Sequence, residues 1–490
     1  MKNFIYLALL LAGNLTGGAE PKPWAPGDPL QLATGRVVFD VQERLRLESR
    51  SDNFDFNDAA KHITDDSFLL QRLRLGVLVK PLDWVKLYGQ CQDTREWGSK
   101  RPDVPFAFGS EGHDPLDLRQ AWIELANPKV FPVSLKLGRQ ELSYGDERLI
   151  GAFDWNNFSR TFDAVKLRWA NAKKTWTVDA FVGHVVQIHD VGPAGNHDLQ
   201  FNDSDWTDTL AGLYASTTAF GPQTTDFYLL YRHKDDSAPV YTGISGMLTN
   251  RATAYDIQQK IWTLGLRMKS LPGRVGGFDY EGEAALQLGH SAGQSAAAFP
   301  GPAMLDHEAF ALHLAGGYTW KKCAWKPRLG LEYNVASGDS DPTDGKDESF
   351  LNLFPTNHKF YGYMDFFAWK NIHNTALSLK ITPYQDRQLA FRNVTVQLDG
   401  HAFWLYTNDD AWYRANGVTR VRTLNAAALS ANPFVGGEVD LTVNYTPFKW
   451  LKLQGGYSHF FAGDYVRQTA GGVNGGNDAD FGYLQATLTF

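Results

Sequence analysis

Cysteine is nearly missing from this chain: Cys91 and Cys323 are the two among 490 residues. Neither sits in a metal-ligating motif, which excludes a disulfide-dense scaffold and a thiolate metal centre. Long apolar runs are missing too. Residues 4–12 are the longest such run and fall well short of the roughly 18 that a membrane-spanning helix needs. Mean hydropathy over the whole chain is negative. Neither HExxH nor Gly-x-Ser-x-Gly occurs, and histidines such as His184, His189, His358 and His401 are scattered. No Pro/Ser/Gly linker or shift of composition divides the chain into domains. The expectations from these absences are no cofactor, no nucleic-acid partner and no enzyme.

What is present begins with a secretory pattern. Lys2 supplies a short positive region, Phe4 to Ala12 an apolar core, and Gly17-Gly18-Ala19 a small-residue cleavage site. Residues 1–19 therefore read as a signal peptide and the Pro-rich residues 20–34 as a periplasmic leader. One continuous domain, 35–490, follows. Aromatics make up 13% of the chain, which suits the girdles that a barrel places at the two faces of a membrane. The net charge is −7, and the acids cluster between candidate strands, as at Asp52, Asp55 and Asp58, at Asp203, Asp205 and Asp208, and from Asp339 to Glu348.

Period-2 alternation marks about eighteen strands, from 36–48 through 133–142, 210–216 and 389–404 to 481–490. In the last, Gly482, Leu484, Ala486, Leu488 and Phe490 share one face, and Tyr483, Gln485, Thr487 and Thr489 the other. The links between strands alternate strictly. Short ones carry turn residues, such as Lys80-Pro81-Leu82-Asp83 and Thr446-Pro447-Phe448. Long ones lie near 143–161, 187–209, 234–260, 338–373 and 405–435. An even number of strands with short turns at one end and long loops at the other is the rhythm of an all-β, antiparallel, up-and-down transmembrane barrel. Structureless loops of this length also argue against a compact soluble domain. Several strands show one apolar and one charged face, so the charged face reads as a watered lumen. No apolar face looks polar enough to need a partner, so a monomer is expected.

Two blocks, Gly138 to Arg148 and Phe162 to Arg168, and then Ala336-Ser337-Gly338-Asp339, Phe354-Pro355-Thr356-Asn357-His358 and Tyr361-Gly362-Tyr363-Met364-Asp365, are similar to the alginate export family of outer-membrane porins. The resemblance implies an eighteen-stranded outer-membrane barrel passing an anionic polysaccharide. Lipid, the polysaccharide and periplasmic export proteins would be its partners. It leaves open an uptake porin for small anionic oligosaccharides. An outer-membrane hydrolase with a loop-borne dyad is the alternative of another class. All periplasmic turns look short, so any plug must come from the leader or from in-folded loops.

The alternation points Arg44, Arg46, Arg72, Arg74, Lys86, Lys136, Lys166, Arg168, Arg232, Arg267, Arg328, Lys380 and Lys452 into the lumen. Facing them are Asp40, Glu124, Asp226, Glu281, Glu283, Glu332, Glu438 and Asp440. The lumen is thus expected to be mildly basic and anion-selective, since the guanidinium fork matches a carboxylate. Arg139 breaks the pattern, because Val133, Leu135 and Leu137 point outward and strict alternation sends it after them. The family motif favours the lumen for it, through a bulge. Asp339, Asp341 and Asp344 form a fragment of a calcium-type loop without the bidentate carboxylate that completes one, so a solvated acidic loop is the stronger expectation. Cys91 lies well along a strand and Cys323 in a periplasmic turn, so both thiols are expected to be free.

Overall fold

The computed structural model describes residues 27–28, 30–59, 64–101, 113–127, 130–188, 201–235, 258–292, 304–383 and 393–490. The signal peptide, most of the leader and His189 lie outside the described residues.

The strands run in chain order as β1 (Leu30–Leu32), β2 (Val37–Ser51), β3 (Asp66–Leu82), β4 (Val85–Trp97), β5 (Asp114–Ala126), β6 (Val133–Gln140) and β7 (Phe162–Ala170). They continue as β8 (Trp176–Gln187), β9 (Asp203–Thr217), β10 (Gln223–Lys234), β11 (Gln259–Ser270), β12 (Phe278–Ser291), β13 (Leu305–Thr319) and β14 (Arg328–Ala336). The rest are β15 (Lys346–Asp347), β16 (Ile372–Ile381), β17 (Val394–Trp404), β18 (Phe434–Phe448), β19 (Leu451–Ala462) and β20 (Ala479–Thr489).

Eighteen of these strands pair antiparallel with their sequence neighbours, and β20 closes on β2 from Gln42↔Thr489 to Ser51↔Asp480. The barrel has no free edge. The two remaining strands are accessories. β1, the end of the expected leader, folds back on β2, and β15 pairs parallel with β13 from within a long loop. Every expected strand is present. The main differences are at extracellular ends, as where β9 begins at Asp203, and residues 389–392 of the expected strand 389–404 lie outside the described residues. Above the apolar band no lipid enforces alternation, and the ladder continues through polar residues that alternation cannot mark.

Alternation sorts the wall as it must in a bilayer. On β20 Leu484 is 65% exposed and its neighbour Gln485 9%. Near the short turns, aromatic pairs such as Phe448–Trp450 (5.0 Å) and Tyr318–Trp320 (5.0 Å) form an interfacial girdle. Cys91 and Cys323 are both free.

The long loops fold into the extracellular half of the barrel and pack there. Phe56, Phe366, Phe367, Trp412, Phe403 and Phe460 are all buried in one aromatic core. Phe367 stacks on Phe403 at 3.8 Å, and Trp412 Nε1 donates to the Phe366 carbonyl at 2.9 Å. Loop 141–161 is stitched to loop 337–371 by the bridge Ile150↔Phe354. Gly362 (φ +84°) lets the second loop press on the wall, since a Cβ there would lie 2.4 Å from the Glu438 carboxylate. Among the described residues the plug is made of in-folded loops.

Candidate functional site

The lumenal bases form two tiers with different chemistry. The upper tier lies against the plug. Arg44 on β2 and Arg72 on β3 are directly opposed, and like charges so placed repel. Loop 141–161 supplies the acceptors that resolve this. Arg44 donates to the Asp154 carbonyl (2.7 Å) and to Asn157 Oδ1 (3.0 Å). Arg46 donates to the Trp155 carbonyl (2.5 Å), and its guanidinium lies 4.0 Å from the Trp155 ring. Arg72 donates to the Asp154 carbonyl (3.1 Å), and Arg74 to Asp154 Oδ1 (2.8 Å) and Ser159 Oγ (2.5 Å). Burial would raise the Asp154 carboxyl, but Arg72, Arg74 and Arg44 together hold it well below the usual carboxylate range. Arg267 is likewise consumed, donating to Glu281 (3.0 Å), Asp226 (2.9 Å) and loop residue Asp146 (2.7 Å). These five expected pore residues dock the plug or pair with wall acids.

The lower tier lies near the periplasmic mouth and is more open. Lys136 on β6 and Lys166 on β7 are directly opposed and point inward. Lys136 Nζ lies 3.9 Å from the Trp122 ring. Neither lysine has a carboxylate in ion-pair range among the described residues, and the same holds for Lys380 and Lys452. Arg168 is half exposed and forks onto Asp179 (2.6 and 2.7 Å). Arg328 forks onto Asp279 (2.8 and 2.6 Å), and Lys86 reaches Glu124 (3.0 Å). A cavity of about 190 Å³ sits beneath the plug, lined among others by Arg328, Lys359, Ser378, Gln397 and His401.

One expectation is corrected. Arg139 does not enter the lumen. The β6–β7 ladder runs without a bulge from Lys136↔Lys166 to Gln140↔Phe162, so Arg139 shares the outward face with its opposite residue Asp163. It forks onto that carboxylate (3.0 and 3.0 Å) and donates to the Leu118 carbonyl at 3.1 Å. Asp163 removes the cost that alternation alone would assign to the arginine. Asp339, Asp341 and Asp344 do not converge. Asp341 accepts from the Thr343 amide and hydroxyl, Asp344 accepts from the Lys346 amide, and Asp339 is buried beside Asp410. Among the described residues no three His, Cys, Asp or Glu side chains could hold a metal ion.

The sequence reading missed Asp146 and Asp154, the loop acids that meet Arg267 and the arginines of β3. The available signal was the opposition of Arg44 and Arg72 on adjoining strands, which demands counter-charge from outside the wall. Arg119 was missed because the β4–β5 register shifts between Gln90 and Cys91, which turns it inward out of phase. It donates to Gln90 Oε1 at 2.9 Å and pairs with Glu141.

A closed eighteen-stranded barrel with a lipid-facing apolar band, interfacial aromatics and a charged lumen defines an outer-membrane channel of the porin class. The chain belongs to the alginate export family, whose model matches residues 36–477. No curated protein matches in sequence. Among solved structures, Acinetobacter baumannii OccAB1 shares the fold with a TM-score of 0.56 at 11% identity, over 93% of this chain and 96% of that one. Pseudomonas aeruginosa OccD3 (OpdP) does so with a TM-score of 0.54 at 12% identity, over 96% and 95%. Pseudomonas aeruginosa OccK2 (OpdF), solved in complex with glucuronate, does so with a TM-score of 0.54 at 12% identity, over 93% and 98%.

Proposed function

We propose that the barrel is an anion-selective channel that takes an acidic, alginate-like polysaccharide from the periplasm and passes it outward beneath a displaceable plug. The observation that carries this reading is the placement of Lys136, Lys166, Lys380 and Lys452. They lie at the periplasmic end of the lumen without ion-pair partners among the described residues, and Arg168, half exposed, lies two residues from Lys166 on β7. Directly opposed lysines repel, and a carboxylate between them relieves that repulsion. A polyuronate carries one carboxylate per sugar, so it meets a series of weak sites that hold it briefly and let it go, as conduction requires. The plug closes the other end, so capture comes first and opening second.

Uptake of small anionic sugars is the second reading. The cavity of about 190 Å³ accommodates one sugar rather than a chain, and a neighbour of the same fold was solved with glucuronate. A hydrolase has less support. His358 is stacked under Trp155 at 3.8 Å with Nδ1 3.0 Å from Asp365, which leaves a buried, structural imidazole. The test is current block in planar bilayers. An oligouronate added on the periplasmic side should interrupt the ion current at concentrations where a neutral oligosaccharide of equal length does not. Equal block by both, or none by either, would contradict the proposal.

A further inference from the structure

The outer wall carries a feature that permeation does not use. On β7 to β11 the outward residues Val165, Val182, Ala211, Tyr231 and Trp262 are directly opposed in one row. The next outward row toward the periplasm is Leu167, Ala180, Leu213, Leu229 and Leu264. Ala180 and Ala211 are small, while Leu213, Tyr231 and Trp262 stand around them, and the result is an apolar groove of about 480 Å³. Tyr231 and Trp262 pack at 4.6 Å as its rim.

One outward step further toward the extracellular end, each strand turns polar. Val182 is followed by His184, Ala211 is preceded by Thr209, Tyr231 is followed by His233 and Trp262 is preceded by Lys260. These four are again directly opposed in sequence: His184↔Thr209, Thr209↔His233 and His233↔Lys260. Beyond Lys260 the row continues to His290 on β12, and beyond His184 to Asp163 on β7, which Arg139 holds. His184 and Thr209 are linked at 3.4 Å, and the exposed Trp206 ring covers His184 at 4.6 Å. Asp235 lies 3.2 Å from His233, and Asp306 lies 3.1 Å from His290. Lys260 is exposed, is flanked by both imidazoles, and makes no ion pair among the described residues.

Each half of this arrangement points to the same ligand. An apolar groove in a lipid-facing wall takes a hydrocarbon chain. Asp235 and Asp306 already serve the two imidazoles, which leaves Lys260 without a carboxylate among the described residues, and a phosphate held on it supplies the counter-charge. We propose that this face binds an outer-leaflet glycolipid with a phosphate on its sugar headgroup. An acyl chain lies against Ala180 and Ala211, and the phosphate sits on Lys260 and His233, with His184 and Thr209 as further hydrogen-bonding groups. Tyr231 and Trp262 fix the depth, as interfacial aromatics do.

The test is native mass spectrometry of the full barrel released from detergent with two probes, a synthetic monophosphorylated lipid A and the same lipid without its phosphate. The wild type should retain the phosphorylated probe at least tenfold better at equal concentration. Lys260→Gln should abolish that preference while leaving the dephosphorylated probe unchanged. Ala211→Phe, which fills the groove, should weaken retention of both probes. Heat-modifiable gel mobility confirms that each variant is a folded barrel. Equal retention of the two probes by the wild type, or an unaltered preference in Lys260→Gln, would overturn the proposal. So would undiminished retention in Ala211→Phe. Should Ala211→Phe fail to fold, Ala180→Leu fills the same groove and is read identically.

Discussion

Asp154 shows how one loop side chain decides the state of several wall residues. Its carbonyl and carboxylate together receive Arg44, Arg72 and Arg74. Asp154→Ala keeps the carbonyl but removes the carboxylate that Arg74 (2.8 Å) and Arg72 (3.2 Å), both buried, share. A hydrogen bond to a charged group contributes about 1.5–3 kcal/mol. Asp154→Ala should therefore weaken docking of loop 141–161 by that order and leave the barrel intact. In single-channel recordings the variant should spend more time at higher conductance than the wild type. An unchanged open fraction would mean that the loop is held by its apolar contacts alone. The sequence showed the arginines and their faces, because alternation along a strand is local. It did not show that Asp154 meets them, because that contact spans 82 residues of sequence from Arg72 and depends on how a loop folds back. Arg139 failed for a related reason. Its acceptable outward position rests on Asp163 one strand away, and a rule read along a single strand does not include the neighbour.

At the scale of elements, the eighteen barrel strands were legible because lipid on one side and water on the other impose period 2 on each. The in-folded loops obey no such rule. Their aromatic core, with Trp369, Trp412 and Phe366 almost inaccessible, has neither helical nor strand periodicity, so its inward fold could be expected only as one source of a plug. Loop 337–371 also carries a pH response. Burial and the nearby carboxylates of Asp347 and Asp410 push the Asp339 carboxyl up to about 7 from an ordinary value of 3.8. Between those values the folded loop binds more protons than the unfolded one, so its stability falls as pH rises through that window. Amide hydrogen exchange in residues 337–353, corrected for intrinsic rates, should show weaker protection at pH 8 than at pH 5. Asp339→Asn should remove most of the difference. A wild type equally protected at both pH values would refute the assignment.

For the whole molecule, charge is sorted by height. Acidic loops dominate the net charge of −7, arginines of β2 and β3 hold the plug, and Lys136, Lys166, Lys380 and Lys452 face the periplasmic end of the lumen without acid partners among the described residues. A count of lumenal bases against acids could not separate the last two groups, since Arg72 and Lys136 look alike in sequence. Pairing separates them, and it moves the expected seat of selectivity away from the arginines of β2 and β3 to the lysines of β6 and β7. Charges in a narrow, low-dielectric lumen are screened less than those on loops, so the preference should persist at moderate salt. The most direct measurement is the reversal potential of the purified channel in a planar bilayer under a KCl gradient. The wild type should prefer chloride, and Lys136→Gln with Lys166→Gln should shift the reversal potential toward cation preference with the barrel still folded. A reversal potential that is cation-selective in the wild type, or unmoved in the double variant, would contradict the account.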